Sequence, residues 1–312
     1  MDWTLLQGLF EGFQGMADPG IFLMLAIGGL LIYLGIAKNY EPLLLIGIGT
    51  GIVLANLPIG DLTKEATPNE IGGLLWYFKK YLIETEIVPL LIFLGLGALT
   101  DFEPILSHPY TILLGAAAQL GVFVALVGAL VMGLGFGLRE AASIGIIGGA
   151  DGPTTIYVAT KMREMGGQDI LGAVAVAAYS YMALVPIIQP PIIRLLTTRE
   201  ERLVRMPYTT RPVSRTAKIL FPIVLTLVVG VLVPHATPLI GIFAFGNLLR
   251  ESGVVERLAG TAQNELMNIV TIILGVTVGS TMPAAIFLKP QTLAIFVLGL
   301  FAFGVSTAGG VM

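Results

Sequence analysis

Residues 143–160 are Ser-Ile-Gly-Ile-Ile-Gly-Gly-Ala-Asp-Gly-Pro-Thr-Thr-Ile-Tyr-Val-Ala-Thr, and Asp151 is the only side chain charged at neutral pH between Glu140 and Lys161. The glycines and the proline beside this aspartate disfavour a continuous helix. In a membrane protein, a charged side chain at membrane depth usually faces a cavity or a partner and takes part in ion or proton handling. The stretch therefore predicts a broken helix with an aspartate at the break.

The composition of the whole chain indicates a membrane protein. Of 312 residues, 55% are hydrophobic and only 12% are charged, and the mean hydropathy is +0.89. These values exclude an ordinary soluble protein and predict a multi-pass membrane protein. The sequence has no cysteine, which excludes disulfides and thiolate chemistry, and its two scattered histidines, His108 and His235, argue against a zinc site.

Apolar segments long enough to enter or cross a bilayer recur along the chain. They lie at residues 21–37, 43–59, 87–100, 111–136, 171–196, 219–233, 238–249, 266–288 and 291–312. The sequence therefore predicts an all-α polytopic membrane protein with about 8–10 transmembrane or re-entrant helices. Residues 3–16 carry no Lys or Arg, and we expect them to form an amphipathic helix on the membrane surface.

The short segments 87–100 and 238–249 resemble each other. The aligned positions include Pro89 with Pro238, Gly97 with Gly246 and Asp101 with Arg250. Matching short, glycine-interrupted segments in two halves predict a transporter fold built of structural repeats with broken helices. The second half has no counterpart of the Asp151 stretch, so we expect a truncated second repeat or a site completed by another subunit.

The predicted organisation has five parts. They are an interfacial helix (1–20), a helical hairpin with an interfacial segment (21–86), a first repeat with the Asp151 site (87–198), a basic loop (199–218) and a second, incomplete repeat (219–312). Seven basic residues lie at or beside the loop, at positions 194, 199, 202, 205, 211, 215 and 218. The positive-inside rule makes this loop cytoplasmic, and an additional role in binding an acidic partner or anionic lipid stays open.

The Asp151 stretch offers oxygen ligands of several kinds. A carboxylate, unwound backbone carbonyls and the hydroxyls of Thr154 and Thr155 form an all-oxygen environment that suits sodium. The alternative is a glycine-rich connector in which Asp151 only caps the next helix. Tyr179 and Tyr181 lie in the middle of a later apolar segment, and because helical residues two apart point roughly 200° from each other, at most one should face the Asp151 cavity. Either tyrosine could instead be an ordinary core aromatic.

Long motifs of this chain closely resemble the β subunit of the sodium-pumping biotin-dependent decarboxylases. The motifs are Gly148-Gly-Ala-Asp-Gly-Pro-Thr154, Ala177-Ala-Tyr-Ser-Tyr-Met-Ala-Leu-Val-Pro186 with Gln189-Pro-Pro191, Gly246-Asn-Leu-Leu-Arg-Glu-Ser-Gly-Val-Val-Glu-Arg257 and Gln263-Asn-Glu-Leu-Met-Asn-Ile-Val-Thr271. The resemblance covers essentially the whole chain. It implies a membrane subunit that decarboxylates carboxybiotin and couples this reaction to sodium export. In the family a further segment with asparagine, serine and arginine follows the last span present here.

The resemblance also implies roles for particular residues. The family's coupling-site aspartate falls on Asp151 and its functional tyrosine on Tyr181, so these two are the catalytic candidates, with Tyr181 helping to supply the proton. The candidate sodium ligands are Asp151, Gly148, Thr154 and Asn247. The candidate contacts for carboxybiotin are Gly149, Gly152 and Tyr181.

The implied partners are a carboxyltransferase subunit, a biotin-carrier subunit and a small membrane subunit, with a homo-oligomer of the β subunit in the lipid bilayer and no nucleic acid. The implied location is a bacterial or archaeal cytoplasmic membrane. The upstream acid stays open among oxaloacetate, methylmalonyl-CoA, glutaconyl-CoA and malonate. Two alternatives remain at this point: a sodium-coupled secondary transporter or antiporter that needs no enzyme partner, and a purely structural membrane subunit.

Overall fold

The computed structural model describes residues 16, 18–58, 60–205 and 212–312, so most of the predicted N-terminal interfacial helix lies outside the described residues. The described parts of the chain form α-helices joined by short 3-10 and π turns. Extended pairing within these parts is limited to an isolated bridge between Thr67 and Glu70. The all-α class predicted from the sequence is confirmed.

The helices vary from four to twenty-six residues in length. In chain order they are α1 (Pro19–Lys38), α2 (Pro42–Asn56), α3 (Leu74–Phe78), α4 (Ile87–Leu99), α5 (Glu103–Ser107), α6 (Ile112–Ala118), α7 (Leu120–Val131), α8 (Leu138–Gly145), α9 (Gly152–Glu164), α10 (Leu171–Leu196), α11 (Arg199–Leu203), α12 (Arg215–Leu232), α13 (Thr237–Ser252), α14 (Glu256–Thr261), α15 (Met267–Ser280), α16 (Ala284–Phe287) and α17 (Pro290–Val311). The 3-10 turns are Pro109–Thr111, Ile146–Gly149 and Pro234–Ala236, and the π turns are Lys79–Ile83 and Ala262–Leu266.

Several helical segments are long and apolar enough to cross a membrane. By length and composition, the described residues contain four such segments, which are α1, Pro109–Val131, α12 and α17. Two bent pairs raise this number to six if each counts as one span. Leu74–Ile83 meets α4 at 61°, and the two parts of α10 meet at 64°. The polytopic membrane architecture predicted from the sequence is therefore confirmed.

The bend in α10 lies between Met182 and Ile187, whereas the helix continues through Pro190 and Pro191 to Leu196. A proline ring lacks the N–H that would bond the carbonyl four residues earlier, and it clashes with that carbonyl. The disturbance caused by a proline therefore falls on the preceding turn. Pro186 lies within the bend and Pro190 follows it by about one turn, so the bend falls on the part of α10 that prolines disturb.

The first two helices form a hairpin with a short turn. Asp18 caps α1 by accepting a hydrogen bond from the N–H of Gly20 at 2.8 Å, and Asn39 ends α1 in the left-handed conformation. Glu41 also has a positive φ, of 36°, and Pro42 opens α2. Proline is well suited to the first turn of a helix because its fixed φ is already helical. Two left-handed residues within three positions make the reversal short.

The two short segments aligned in the sequence analysis pack directly against each other as α4 and α13. A Cβ added to Gly97 would overlap the carbonyl oxygen of Phe243, and one added to Gly246 would overlap the carbonyl oxygen of Leu94. Each glycine thus meets the carbonyl three residues before the other glycine. This reciprocal contact is what a two-fold relation between the helices produces, and small residues allow such close approach in membranes. The division of the chain into repeats stays a prediction, and this contact supports it.

Polar side chains cap the C-terminal end of α4. The last carbonyls of a helix have no partner inside it. Asn247 donates to the carbonyl of Thr100 at 2.8 Å, Arg250 donates to that of Leu99 at 2.8 Å, and Gln263 donates to that of Ala98 at 2.6 Å. These three residues follow the start of α13, so the later part of the chain holds the end of α4 in place.

Ion pairs fix the C-terminal part of α9 to the bend before α4. Arg163 lies 2.9 Å from Glu84, and Lys161 lies 2.8 Å from Glu86. Nearby, Glu140 at the start of α8 accepts a hydrogen bond from the N–H of Gln168 at 2.6 Å. This bond is the main reason that the pKa of the Glu140 carboxyl is lowered. The two ion pairs therefore anchor the C-terminal end of α9 to the segment before α4.

Candidate functional site

The helix break predicted around Asp151 is present. Helix α8 gives way to the 3-10 turn Ile146–Gly149, and Ala150 then adopts a left-handed conformation with φ of 53°. Asp151 is extended, with φ of −124°, and α9 starts at the next residue. Left-handed backbone is rare for residues with a Cβ and occurs where the surrounding structure imposes it. The break places a carboxylate and the first turn of α9 inside the bundle.

The Asp151 carboxylate is bonded within its own helix. One oxygen accepts from the N–H of Thr154 at 3.2 Å, and the other accepts from the hydroxyl of Thr154. The hydroxyl of Thr155 turns away and donates to the backbone carbonyl of Asp151 at 2.7 Å. Asp151 therefore does cap α9. Each carboxylate oxygen can accept more than one bond, so the cap leaves capacity for a cation.

Asp151 lines a cavity of about 440 Å³ that opens to the surface. Most of the wall is apolar, and its polar side chains come from four separate parts of the chain. The lining residues are Glu41, Leu43, Leu44, Ile92, Leu96, Ala150, Asp151, Pro153, Tyr179, Met182, Met267, Thr271 and Leu274. Apolar walls with a few convergent polar groups are typical of ligand sites. We call this space the Asp151 cavity.

Tyr179 lines this cavity, and its hydroxyl has no hydrogen-bond partner among the described residues. The residue is only 1% exposed, and its oxygen bonds no group in the described part of the chain. The ring lies against the backbone of Gly152, where an added Cβ would overlap it. Leaving a buried hydroxyl unsatisfied costs about 1–3 kcal/mol, so such a group needs an explanation. A ligand in the Asp151 cavity would supply the missing partner.

Tyr181 lies on the other side of α10. Its hydroxyl donates to the carbonyl of Phe296 in α17, and the two rings meet edge to face with centroids 6.3 Å apart. The ring also covers Gly299, where an added Cβ would lie 2.6 Å from it. The structure thus brings Tyr179, and not Tyr181, to the Asp151 cavity. The catalytic and biotin-binding roles of Tyr181 stay predictions.

Gly148, a predicted sodium ligand, and Gly149, a predicted carboxybiotin contact, line a second cavity of about 290 Å³ on the α17 side of the break. Gln119, Gln189 and Ser306 also line it. The carbonyl of Gly148 accepts a hydrogen bond from the Ser306 hydroxyl at 2.5 Å. In this conformation the Gly148 carbonyl is therefore directed to α17 and does not join Asp151, whereas Thr154 and Gly152 stay beside it.

Asn247, the fourth candidate sodium ligand, does not line the Asp151 cavity. It is buried between α13 and α4, where its amide nitrogen bonds the carbonyls of Gly97 and Thr100. Its side-chain oxygen is buried and has no hydrogen-bond partner among the described residues. The oxygen is the atom with which Asn247 would bind sodium, and the role of Asn247 as a sodium ligand stays a prediction.

Glu41 and Thr271 also line the Asp151 cavity, although neither was predicted to be a site residue. A usable signal existed for Glu41, because it is the only acid in the four-residue turn between two apolar helices. Thr271 carries no such signal, since a single threonine in an apolar helix is common. Only the fold brings these residues to Asp151, which lies more than a hundred positions from each of them.

A bundle of apolar helices with a carboxylate at a helix break, facing a cavity, defines the chain as a polytopic membrane protein of the ion-translocating type. The chain belongs to the family described as the Na⁺-transporting oxaloacetate decarboxylase beta subunit, whose sequence model matches residues 20–312. It is thus the membrane subunit of a sodium-pumping decarboxylase complex, as predicted from the sequence motifs, and the alternative of a transporter without an enzyme partner is set aside.

Curated relatives are similar over nearly the whole chain. Oxaloacetate decarboxylase beta chain 2 of Salmonella typhi is 45% identical, and the alignment covers 99% of this chain and 82% of that protein. The methylmalonyl-CoA decarboxylase subunit beta of Propionigenium modestum is 50% identical, with 96% and 79% covered. That of Veillonella parvula is 51% identical, with 94% and 74% covered. The membership of a multi-subunit complex follows from these relatives.

Proposed function

We propose that the Asp151 cavity is where the chain couples decarboxylation of carboxybiotin to sodium export. The observation that carries this proposal is the Asp151 carboxylate at a helix break, beside the partnerless Tyr179 hydroxyl. Sodium is the transported ion and carboxybiotin is the substrate, delivered on a biotin carrier by a carboxyltransferase subunit. Asp151 and Thr154 supply the hard oxygen atoms that sodium prefers.

The chemistry requires a proton at the site. When carboxybiotin loses CO₂, the bond between the carboxyl carbon and the ring nitrogen breaks, and its electron pair stays on nitrogen, which takes up a proton. A protonated Asp151 can release this proton as sodium takes its place, so the exchange balances charge. Of the two tyrosines in α10, Tyr179 is the one that lines the cavity. Relay through Tyr181, which the family resemblance implies, requires its hydroxyl to leave the carbonyl of Phe296.

The Asp151 cavity does not determine which acid the complex decarboxylates. The relatives named above are oxaloacetate and methylmalonyl-CoA decarboxylase subunits, with similar identities to this chain. Both systems can pass the same carboxybiotin to a membrane subunit, so we propose that the carboxyltransferase partner selects the acid. The small membrane subunit, a homo-oligomer of the β subunit and the cytoplasmic membrane belong to the same proposal.

The orientation follows from the basic loop. Arg215 at the start of α12 donates to the carbonyl of Ser252 at the end of α13 at 2.7 Å, and Lys218 pairs with Glu103 just after α4. These contacts gather the ends of α4 and α13 at the end of the bundle that carries residues 199–205 and 212–218. By the positive-inside rule we propose that this end is cytoplasmic.

The test replaces Asp151 by Asn in the assembled complex. We expect Asp151→Asn to reduce sodium-dependent decarboxylation of free carboxybiotin at least about 100-fold, because the variant can neither carry the proton nor balance the charge of sodium. Uptake of radioactive sodium into proteoliposomes should fall in parallel. The matched control is Asp61→Asn, which changes an exposed aspartate in a loop between α2 and α3. Normal sodium-dependent decarboxylation by Asp151→Asn would refute the proposal.

A further inference from the structure

The Asp151 cavity holds a second carboxylate that the coupling mechanism does not use. Glu41, in the turn between α1 and α2, lines the cavity together with Asp151, Tyr179 and Thr271. Glu41 is exposed, and within the described residues no basic side chain pairs with its carboxylate. A solvated acid at one end of the cavity and the Asp151 carboxylate in its wall thus share one space.

The backbone at Glu41 is held in an uncommon conformation. Its φ of 36° and ψ of 57° are left-handed, a region that residues with a Cβ seldom adopt. Glycine or asparagine would fit this turn position with less strain, and Asn39 in the same turn illustrates that choice. A glutamate here is therefore not explained by the turn geometry.

The topology places Glu41 at the end of the bundle that carries the basic loop. At the other end of α2, Asn56 donates to the carbonyl of Met282 at 2.9 Å and accepts from the N–H of Ala284 at 2.9 Å, so the end of α2 meets the end of α15. Glu41 consequently lies towards the start of α15, where Met267 and Thr271 line the cavity. This start follows α14 and the end of α13, which Arg215 holds to the basic loop.

We propose that Glu41 is a cation-binding residue at the mouth of the Asp151 cavity, which captures a hard monovalent cation on the side of the basic loop and passes it to Asp151. The independent sign of a ligand is Tyr179, which lines this cavity, is only 1% exposed and has a hydroxyl without a hydrogen-bond partner among the described residues. A negative charge in a cleft with low-dielectric walls raises the local concentration of cations. The inference rests on the proposed function, since it takes sodium as the ligand.

The experiment measures how carboxybiotin decarboxylation by the assembled complex depends on NaCl, with KCl keeping the ionic strength constant. Glu41→Gln should raise the sodium concentration for half-maximal rate by about fivefold, and high sodium should overcome the loss. Glu41→Asp should restore most of the wild-type sodium dependence because it retains the charge. Glu41→Asn is a second charge-removing variant that tolerates the left-handed backbone, so both amides should give the same shift.

The matched control is Glu256→Gln, which removes an exposed acid at the same end of the bundle, outside the cavity. An unchanged sodium dependence in both Glu41→Gln and Glu41→Asn, or an equal shift in Glu256→Gln, would overturn the inference. The Asp151→Asn variant separates this result from the coupling proposal. If Asp151→Asn keeps its sodium response while Glu41→Gln shifts it, the coupling proposal fails, and with it the transfer of the cation from Glu41 to Asp151, although Glu41 still binds the cation. If Asp151→Asn loses its sodium response and Glu41→Gln leaves it unchanged, only the role of Glu41 fails.

Discussion

The two sides of the helix break between α8 and α9 differ in how their polar groups are satisfied. On the side of α17, the carbonyl of Gly148 accepts from Ser306, and Tyr181 donates to a carbonyl of α17. On the other side, Asp151 bonds only its own helix, and the hydroxyl of Tyr179 has no partner among the described residues. Two tyrosines two positions apart in α10 therefore have opposite surroundings.

We infer from this difference that one side of the break stabilises the structure and that the other side binds the ligand. A site that binds a ligand needs some groups locked by packing and others with unused bonding capacity. The α17 side supplies the locked groups, and the Asp151 side supplies the unused capacity. Substitutions on the α17 side should therefore lower the stability of the protein, whereas substitutions on the Asp151 side should change its response to sodium.

The largest expected effect is that of Gly148→Ala. A Cβ at Gly148 would lie 2.5 Å from the backbone carbon of Gly121 in α7, and backbone atoms cannot move aside easily. We expect a loss of about 1–3 kcal/mol in the free energy of unfolding, or failure to assemble. The matched variant is Gly149→Ala, whose Cβ would meet only Gln119 and Val122, at 3.5 and 3.7 Å.

Unfolding of both glycine variants in detergent, followed by circular dichroism during titration with a denaturing detergent, gives the comparison. Gly149→Ala should stay close to the wild type. Equal stability of the two variants would show that Gly148 is not tightly packed against α7.

The second prediction compares Tyr181→Phe with Tyr179→Phe. Tyr181→Phe removes a hydroxyl that donates to the carbonyl of Phe296, and it should lower the free energy of unfolding by about 1 kcal/mol. Tyr179→Phe removes a buried hydroxyl without a partner, so stability should stay the same or rise.

The sodium dependence of carboxybiotin decarboxylation then assigns the functional tyrosine. We expect Tyr179→Phe to alter it, because Tyr179 lines the Asp151 cavity and its hydroxyl has no partner among the described residues. If Tyr181→Phe alone changes the sodium dependence at unchanged stability, the cavity is assigned to the wrong tyrosine. That result would also require α10 and α17 to separate during turnover.

The helix break could be predicted from sequence because its causes are local. Glycine, proline and a capping aspartate act on the backbone within a few residues, so the stretch around Asp151 indicates the break without any tertiary contact. The similarity of α4 and α13 was also visible, since Gly97 aligns with Gly246. Residue type and spacing indicated the break and this similarity, whereas the direct packing of the two helices became known only from the structure.

The composition of the site could not be predicted in the same way. Spacing shows that Tyr179 and Tyr181 point apart, but the rotation of α10 about its axis decides which one faces Asp151, and packing against α17 sets that rotation. The direction of the Gly148 carbonyl likewise depends on Ser306, far away in sequence. Glu41 reaches the cavity only because the first hairpin packs beside α15.

The smallest expected effect tests one hydrogen bond across the break. Ser306→Ala removes the hydroxyl that bonds the carbonyl of Gly148, whereas Thr307→Val removes a hydroxyl that bonds Phe303 in its own helix at 3.0 Å. Interhelical hydrogen bonds in membranes contribute about 0.6 kcal/mol on average, so Ser306→Ala should lower the free energy of unfolding by about that amount and Thr307→Val by less. Because the lost bond orients the Gly148 carbonyl, Ser306→Ala should also free this oxygen to turn towards Asp151. A raised sodium affinity in Ser306→Ala, absent in Thr307→Val, would show that the bond to α17 keeps Gly148 out of the cation site, whereas equal affinities would limit this bond to a structural role.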